Sequence, residues 1–198
     1  MNSIKVLIEG YARMNDDETM SASSSTILIT SNDLRVLVDP GTSPNLLEKL
    51  KEVNLGPDSI DFIFLTHFHI DHVLNIRFFP NTPILDSETI YTGDKESFYS
   101  DIIPGTEIQV MKTPGHATEQ ASLVVSVENE VYVLAQDVFW WMDGKQRSDT
   151  IQNLMKLEDP YANDHDALLV SRKKVLEMAD WIIPGHGKMF RNPRNKVK

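Results

Sequence analysis

The sequence predicts a single α+β domain in which two β-sheets carry helices on their outer sides. Three observations lead to this fold class. Predicted strands come in blocks and do not alternate one by one with helices, as they would in a parallel α/β sheet. The length of 198 residues is typical of one domain. Hydrophobic residues make up 41% and charged residues 24% of the chain, the proportions of an ordinary globular protein with a full core.

Eight short apolar runs are predicted as strands. They are rich in β-branched residues or alternate apolar with polar positions, and turn-forming residues bound them. They cover residues 4–9, 25–30, 34–39, 62–65, 107–111, 121–127, 131–135 and 181–183. The turn residues 31–33 and 128–130 join consecutive strands, so each predicts an antiparallel hairpin.

Three segments are predicted as helices because their apolar residues recur on one helical face. They are residues 44–53, 150–157 and 166–179, of which the last is the longest. The polar stretch 11–25 is predicted as a loop that serves as a flap over a site.

The residue content excludes several classes of protein. The chain has 19 basic and 29 acidic residues, a net charge of −10, which argues against a broad basic surface for nucleic acid. It has no cysteine, so disulfides, thiolate nucleophiles and sulfur metal ligands are excluded. No apolar run is long enough for a membrane span, and the N-terminus lacks a signal-peptide pattern, so we expect a cytoplasmic protein without membrane contact.

The last eleven residues differ from the rest of the chain in charge. They include five basic residues and no acidic one, so residues 188–198 are predicted to be a solvated basic tail after a domain of residues 1–187. The alternative is a tail that contacts phosphate groups. The basic residues are Lys188, Arg191, Arg194, Lys196 and Lys198.

A dense group of metal-competent side chains follows the predicted strand 62–65. The pattern is H-x-H-x-D-H, formed by His67, His69, Asp71 and His72. In an extended segment, side chains two residues apart point to the same side, so His67 and His69 can share one metal ion. Asp71 and His72 fall at the following turn and can serve a second metal ion.

Three more residues extend this group. His116 and His186 each follow a Pro-Gly pair after a predicted strand, where a tight turn can aim an imidazole. Asp137 follows the strand 131–135 and is a carboxylate that can bridge two cations. The seven residues offer too many ligands for one closed structural site.

In their order along the chain, these motifs resemble those of the metallo-β-lactamase fold hydrolases. Those proteins have H-x-H-x-D-H, then a Pro-Gly-His, then an Asp at a strand end, then a Pro-Gly-His-Gly. The chain is also similar to small single-domain members of this superfamily over nearly its whole length. That similarity is carried by residues 7–11, 38–41, 72–80, 137–139 and 171–187.

The resemblance implies a four-layer αββα sandwich and a site for two divalent metal ions, with zinc as the first choice and iron or manganese as alternatives. In that site Asp137 bridges the metals. Asp39 either orients a ligand imidazole or is a strand-end turn residue, and Gln136 stands where many members have glycine. The implied ligands are His67, His69 and His116 for the first metal and Asp71, His72 and His186 for the second.

The function that follows is a dinuclear metal-dependent hydrolase. A hydroxide bridging the two metals would cleave an ester, lactone, thioester or phosphodiester bond, with Asp71 relaying its proton as the catalytic acid and base. The substrate is expected to be a small molecule or a nucleotide.

Three other functions stay open at this point. One is a mononuclear non-haem iron persulfide dioxygenase that uses His67, His116 and Asp137. Another is a small metal-dependent ribonuclease, for which the basic tail is the electrostatic support. The third is a binding protein that keeps the metals without turnover. Glyoxalase-II-like thioester hydrolysis is disfavoured because only eleven residues follow Gly187.

Three weaker signals have two interpretations each. His165 is either a solvated residue at a helix start or a pocket residue. The aromatic run 139–141 either walls a substrate pocket or packs in the core. Met14 and Met20 either lean over the site or belong to an ordinary exposed loop.

Overall fold

The computed structural model describes residues 1–196. The strands are β1 (Ser3–Ile8), β2 (Tyr11–Met14), β3 (Met20–Ser23), β4 (Thr26–Ser31), β5 (Leu34–Val38), β6 (Phe62–Phe64), β7 (Ile84–Leu85), β8 (Thr89–Thr92), β9 (Lys95–Phe98), β10 (Gln109–Lys112), β11 (Ala121–Val127), β12 (Glu130–Gln136), β13 (Trp181–Pro184) and β14 (Phe190–Arg191). The helices are α1 (Leu46–Glu52), α2 (Ile70–Val73), α3 (Ile151–Met155) and α4 (His165–Met178), with 3₁₀ turns at Pro57–Ser59, Leu74–Phe78 and Pro193–Lys196.

The strands form two mixed sheets and one separate hairpin. The first sheet has the order β1-β4-β5-β6-β7-β8-β9 and the second the order β10-β11-β12-β13-β14. β2 and β3 pair only with each other. β5 runs parallel to β6, and β12 runs parallel to β13, so the ends of each parallel pair lie at a common edge of their sheet.

Successive side chains of a strand point to opposite faces of its sheet, and the core consists of three packed layers. In β4, Ile27 and Ile29 face the second sheet and pack with residues such as Leu123, while Leu28 faces the opposite way toward α1. A third cluster lies between the second sheet and the helices α3 and α4, where Ile182 packs with Val175. The layer order is therefore α1, first sheet, second sheet, then α3 and α4. This is the predicted αββα sandwich.

The predicted strands and helices are all present, and each end agrees with the prediction or differs from it by one or two residues. The two predicted hairpins are confirmed, since β4 pairs antiparallel with β5 and β11 with β12. The turns at Asn32 and Asp33 and at Glu128 use left-handed backbone conformations, for which Asn and Asp are suited.

Other parts of the secondary structure differ from the prediction. The stretch 11–25 is a loop in the prediction, but it forms the β2–β3 hairpin, with Tyr11 opposite Ser23 and Met14 opposite Met20. Residues 84–98 form three short strands that complete the first sheet. These strands are two to four residues long, too short for a periodic pattern to show in the sequence.

The segment predicted as a basic tail carries the last strand of the second sheet. β14 pairs antiparallel with β13, and Asn192 is buried and donates to the carbonyl oxygens of Leu176 and Ala179 at 2.9 and 2.8 Å. Lys198, the last basic residue of that segment, lies outside the described residues. Among residues 1–196, no helix is long and apolar enough to span a membrane.

Candidate metal centre

The H-x-H-x-D-H motif begins where β6 ends. His67 is fully buried, and His69, two residues later, is exposed. The short helix α2 then places Asp71 and His72 beside them. Thr66 anchors the start of the loop, because its backbone N–H and its hydroxyl donate to the two carboxylate oxygens of Asp39 at 2.9 and 2.6 Å. The motif is thereby tied to the end of the neighbouring strand β5.

The first group of ligand atoms contains three histidines and one aspartate. Nδ1 of His69 lies 3.1 Å from Nε2 of His67 and 3.0 Å from Nε2 of His116. Oδ2 of Asp137 lies 3.3 Å from Nε2 of His116. Three imidazole nitrogens and a carboxylate oxygen thus converge at one place.

The second group contains Asp71, His72 and His186. Oδ2 of Asp71 lies 3.1 Å from Nε2 of His186, which follows β13. The other oxygen of Asp137, Oδ1, lies 3.4 Å from Nε2 of His72. Asp137 therefore faces both groups, one carboxylate oxygen toward each.

Each buried histidine is held through its other ring nitrogen. Nδ1 of His72 donates to Asp39 at 2.8 Å, and Nδ1 of His186 donates to the backbone oxygen of Tyr11 at 2.9 Å. Nδ1 of His116 donates to Asp159 at 2.8 Å. These bonds leave the Nε2 atoms free to act as ligands and fix the ring orientations. The role implied for Asp39 as an orienting residue agrees with its position.

Asp159 is a residue that the sequence did not suggest. It lies 43 positions from His116 in a short loop before α4 and is almost fully buried. Nothing in the local sequence distinguishes it from an ordinary turn aspartate before a proline. Only the packing of that loop against the His116 loop shows its role.

Two buried ligand atoms have no hydrogen-bond partner. These are Nε2 of His72 and Oδ1 of Asp137, which face each other across the site. Buried polar atoms normally have partners, so atoms left without one at a convergent site indicate a place for a bound cation. Nitrogen and oxygen ligands without sulfur fit zinc, iron, manganese or cobalt. The residues present therefore fit two divalent metal ions.

The protonation states of the ligands follow from burial and neighbouring charge. Burial lowers the pKa of His67 well below its ordinary value and also lowers that of His69. Burial opposes ionisation of Asp137, but His72 and His186 hold the pKa of its carboxyl well below the usual range. A similar balance lowers the pKa of Asp71, where burial is outweighed by the hydrogen bond from His186 together with the charges of His72 and His186.

The two histidines of the second group have pKa values shifted upward. Although burial lowers the pKa of His72, the carboxylates of Asp137 and Asp39 raise it well above its ordinary value. Asp137 and Asp71 likewise raise the pKa of His186 against the effect of burial. The second group is therefore a place where negative charge attracts a cation.

The backbone around Asp137 is unusually close-packed. A side-chain carbon added at Gly185 would lie 1.7 Å from Oδ1 of Asp137, so only glycine fits there. Gln136 adopts a left-handed conformation with φ 45°, a backbone region that glycine enters most readily. Its side chain offsets part of that strain by donating to the carbonyl oxygen of Ser25 at 3.0 Å.

A cavity of about 520 Å³ opens over both ligand groups. Its walls are mainly apolar, and among the described residues no lysine or arginine lines it. The ring of Trp140 packs 5.7 Å from that of Tyr161, which is 57% exposed, and 6.1 Å from the ring of His186. The lining residues are Ala12, Met20, Ala22, His69, Ile70, Asp71, His116, Asp137, Trp140, Tyr161 and His186.

The structure shows which residues of the three weaker sequence signals line the cavity over the ligand groups and which do not. Trp140 walls the cavity, whereas Phe139 and Trp141 pack in the core beneath α4. Met20 on the β2–β3 hairpin lines the cavity. His165 lies exposed at the start of α4 and lines a different cavity, beside Arg172.

Comparison with known proteins agrees with this geometry. The family model of the metallo-beta-lactamase superfamily matches residues 22–109. Metallo-beta-lactamase domain-containing protein 1 of Xenopus laevis is 33% identical over 96% of this chain and 82% of its own length. The chain belongs to the metallo-beta-lactamase superfamily. It spans 63% of the mouse protein of the same name.

Two further proteins illustrate the range of similarity. A probable metallo-hydrolase of Methanocaldococcus jannaschii is 32% identical over 92% of this chain and 86% of its own length. The solved structure of AidC, a dizinc quorum-quenching lactonase with a bound product, has a TM-score of 0.60 at 19% identity and covers 85% of this chain and 73% of its own. The superfamily relationship and the metallo-hydrolase relative make this chain a metal-dependent hydrolase.

Proposed function

We propose that this superfamily member is a dinuclear hydrolase of carboxylic esters, lactones or thioesters. The observation that carries the proposal is the position of Asp137. Its Oδ2 lies 3.3 Å from Nε2 of His116, and its Oδ1 lies 3.4 Å from Nε2 of His72. A carboxylate with one oxygen toward each ligand group is the arrangement that joins two cations.

Each of the two ligand groups would hold one metal ion. His67, His69 and His116 would hold the first ion, Asp71, His72 and His186 the second, and Asp137 both. Zinc is our first choice of metal, supported by the donor set and by the dizinc state of AidC. Two such ions supply Lewis acidity and lower the pKa of a water toward neutrality.

The residues of the chain supply proton transfer and orientation. Asp71 lines the cavity and its carboxylate is partly accessible, so it can accept a proton from the attacking water and pass it to the leaving group. Asp39, Asp159 and the carbonyl of Tyr11 hold the histidines in place while this happens.

The cavity favours carbonyl substrates over phosphodiesters. Its lining includes no lysine or arginine among the described residues, whereas phosphate recognition usually uses one of these two side chains. Apolar walls formed by Met20, Ile70 and Trp140 suit the apolar part of an acyl compound. The bound product of the lactonase AidC is consistent with this substrate class.

The basic C-terminal segment gives little support to the ribonuclease alternative. Arg191 pairs in register with Trp181 at the start of β13, forms an ion pair with Glu130 at 3.3 Å, and lies over the Trp181 ring. His186 follows the other end of the same strand. Arg191 therefore lies away from the metal centre.

The first test is the metal content per chain, measured by elemental analysis of protein purified without a chelator or a histidine tag. We expect two divalent ions per chain, and hydrolysis of a lactone or ester panel that is lost in His69→Ala while the circular dichroism spectrum is retained. One iron per chain with oxygen consumption on a persulfide would favour the mononuclear dioxygenase instead. Turnover in His69→Ala at the rate of the unmodified chain would refute the proposed function.

A further inference from the structure

Helix α4 carries two adjacent buried polar residues whose hydrogen bonds go to loops of the metal centre. Ser171 and Arg172 are each 2% exposed, on the face of α4 that packs on the second sheet. The Ser171 hydroxyl donates to the carbonyl oxygen of Pro114 at 2.6 Å. Pro114 lies two residues before His116, so α4 holds the loop that presents this histidine.

Arg172 joins two further loops of the site. Its Nε donates to the carbonyl oxygen of Val138 at 3.0 Å, and its Nη1 donates to that of Leu157 at 2.5 Å. Val138 directly follows Asp137, and Leu157 lies two residues before Asp159. One guanidinium group therefore fixes the backbone beside the shared carboxylate and beside the residue that orients His116.

Burial of the charged Arg172 side chain costs free energy, which a residue that only filled space would not require. Among the described residues no carboxylate forms an ion pair with Arg172 within 4 Å, and Asp159 acts on its charge only from a greater distance. Its Nη2 is buried without a hydrogen-bond partner, and its guanidinium carbon lies 5.9 Å from the centre of the Phe139 ring. A buried cation without a close counter-ion is unfavourable, and an apolar residue would pack there at lower cost.

A guanidinium is suited to holding two carbonyl groups at a fixed separation. Its N–H groups point in different directions from one rigid plane, and it stays charged when buried. A lysine ammonium is a compact group on a flexible stem and would not fix both carbonyls in one geometry. The residue type therefore agrees with a role in setting the distance between two loops.

We propose that Arg172 is a positioning residue for the first metal group, acting through Asp159 on His116, with its bond to the Val138 carbonyl as the fixed point. The inference rests on the proposed function, because it concerns the first of two bound metal ions. The second group has independent supports, since Asp39 holds His72 and the Tyr11 carbonyl holds His186. Removal of Arg172 therefore weakens the first metal site and leaves the second largely intact.

The test is zinc binding to Arg172→Lys and Arg172→Met, measured by competition with a chromophoric chelator. The matched control is Lys173→Gln, which removes an exposed positive charge from the next position of α4. We expect two zinc ions of unchanged affinity in the control. In both Arg172 variants we expect one zinc to bind as before and the other about 10- to 100-fold more weakly, the usual effect of losing a residue that supports a ligand.

A second measurement separates a positioning role from general destabilisation. In a His69→Ala background the first site is already disabled, so adding Arg172→Lys should leave the affinity of the remaining zinc unchanged. If Arg172→Lys weakens zinc binding in the His69→Ala background as much as it does in the unmodified chain, Arg172 has a general structural role and the inference is overturned. Two zinc ions with unchanged affinities in Arg172→Lys would overturn it too.

The outcomes also distinguish this inference from the proposed function. Fewer than two metal ions in the unmodified chain would refute the dinuclear proposal itself, before any variant is compared. If Arg172→Met does not fold, as judged by circular dichroism, Arg172→Lys decides the question because it keeps the buried charge and most of the volume.

Discussion

Oδ2 of Asp39 lies 2.8 Å from Nδ1 of His72, and both side chains are completely buried. Asp39 stands at the end of β5 with a left-handed backbone, φ 44°, so its carboxylate turns under the metal-binding loop. The same carboxylate accepts two bonds from Thr66. One residue of a neighbouring strand thus holds both the start of the H-x-H-x-D-H loop and its last ligand.

Replacing this carboxylate with an amide should weaken the second metal site. Asp39→Asn keeps the size and tolerates the left-handed backbone, but one amide cannot accept from Thr66 and His72 as the carboxylate does. We expect about 10- to 100-fold weaker binding of one zinc and about 1.5–3 kcal/mol lower stability. Zinc competition and urea unfolding measure the two effects.

The control for that prediction is Asp61→Asn. Asp61 is an exposed carboxylate that accepts a bond from the Arg35 N–H at 2.7 Å, far from the ligands. Equal losses of zinc affinity in the two variants would mean that the Asp39 bond to His72 has no specific role.

Substitution of Asp71 should lower the rate of hydrolysis more than it lowers the binding of the first metal ion. Its carboxylate binds His186 and lines the cavity, whereas the first ligand group does not include it. We expect Asp71→Asn to lower kcat by about 10²- to 10⁴-fold, the usual contribution of a proton-transferring group. Metal analysis of the same sample should show the first ion retained. Unchanged kcat would remove Asp71 from the mechanism.

Gly185→Ala should disrupt the shared carboxylate. The added methyl group would lie 1.7 Å from Oδ1 of Asp137, so the carboxylate or β13 must move. A misplacement on this scale can lower the rate on the order of 10²-fold. The comparison is Gly56→Ala, where the added carbon would meet no atom within 4 Å, and activity should be retained. Equal kcat/KM in both variants would contradict this reading of the packing.

Tyr161 should affect substrate binding without affecting the fold. Its ring is 57% exposed and forms the open wall of the cavity against Trp140. Tyr161→Ala is expected to raise KM up to about 10-fold for substrates with apolar acyl groups, since an aromatic contact contributes about 0.5–1.5 kcal/mol. The melting temperature should stay near that of Phe98→Ala, an exposed control at 78%. An unchanged KM would show that the acyl group lies elsewhere.

Much of the fold follows from local patterns in the sequence. The β-branched, apolar run 25–30 predicts β4, and the two-residue period of a strand puts Ile27 and Ile29 on one face and Leu28 on the other. The hairpins follow from turn residues that accept left-handed conformations. The strands β7, β8 and β9 do not follow in this way, because pairing with neighbours stabilises them more than their own residues do.

The seven metal-competent residues could be recognised because histidine and aspartate are dense in one loop and recur after Pro-Gly turns and at a strand end. That chemistry is local, so the sequence determined it. The pairs Asp39–His72, Asp159–His116 and Arg172–Val138 join positions 33, 43 and 34 residues apart. Their meeting depends on how parallel strands and α4 stack, and no spacing in the chain encodes it. The tertiary structure decided between the two interpretations of Asp39 and alone identified Asp159 and Arg172 as supports, because burial forces each polar atom to find a partner wherever packing brings one.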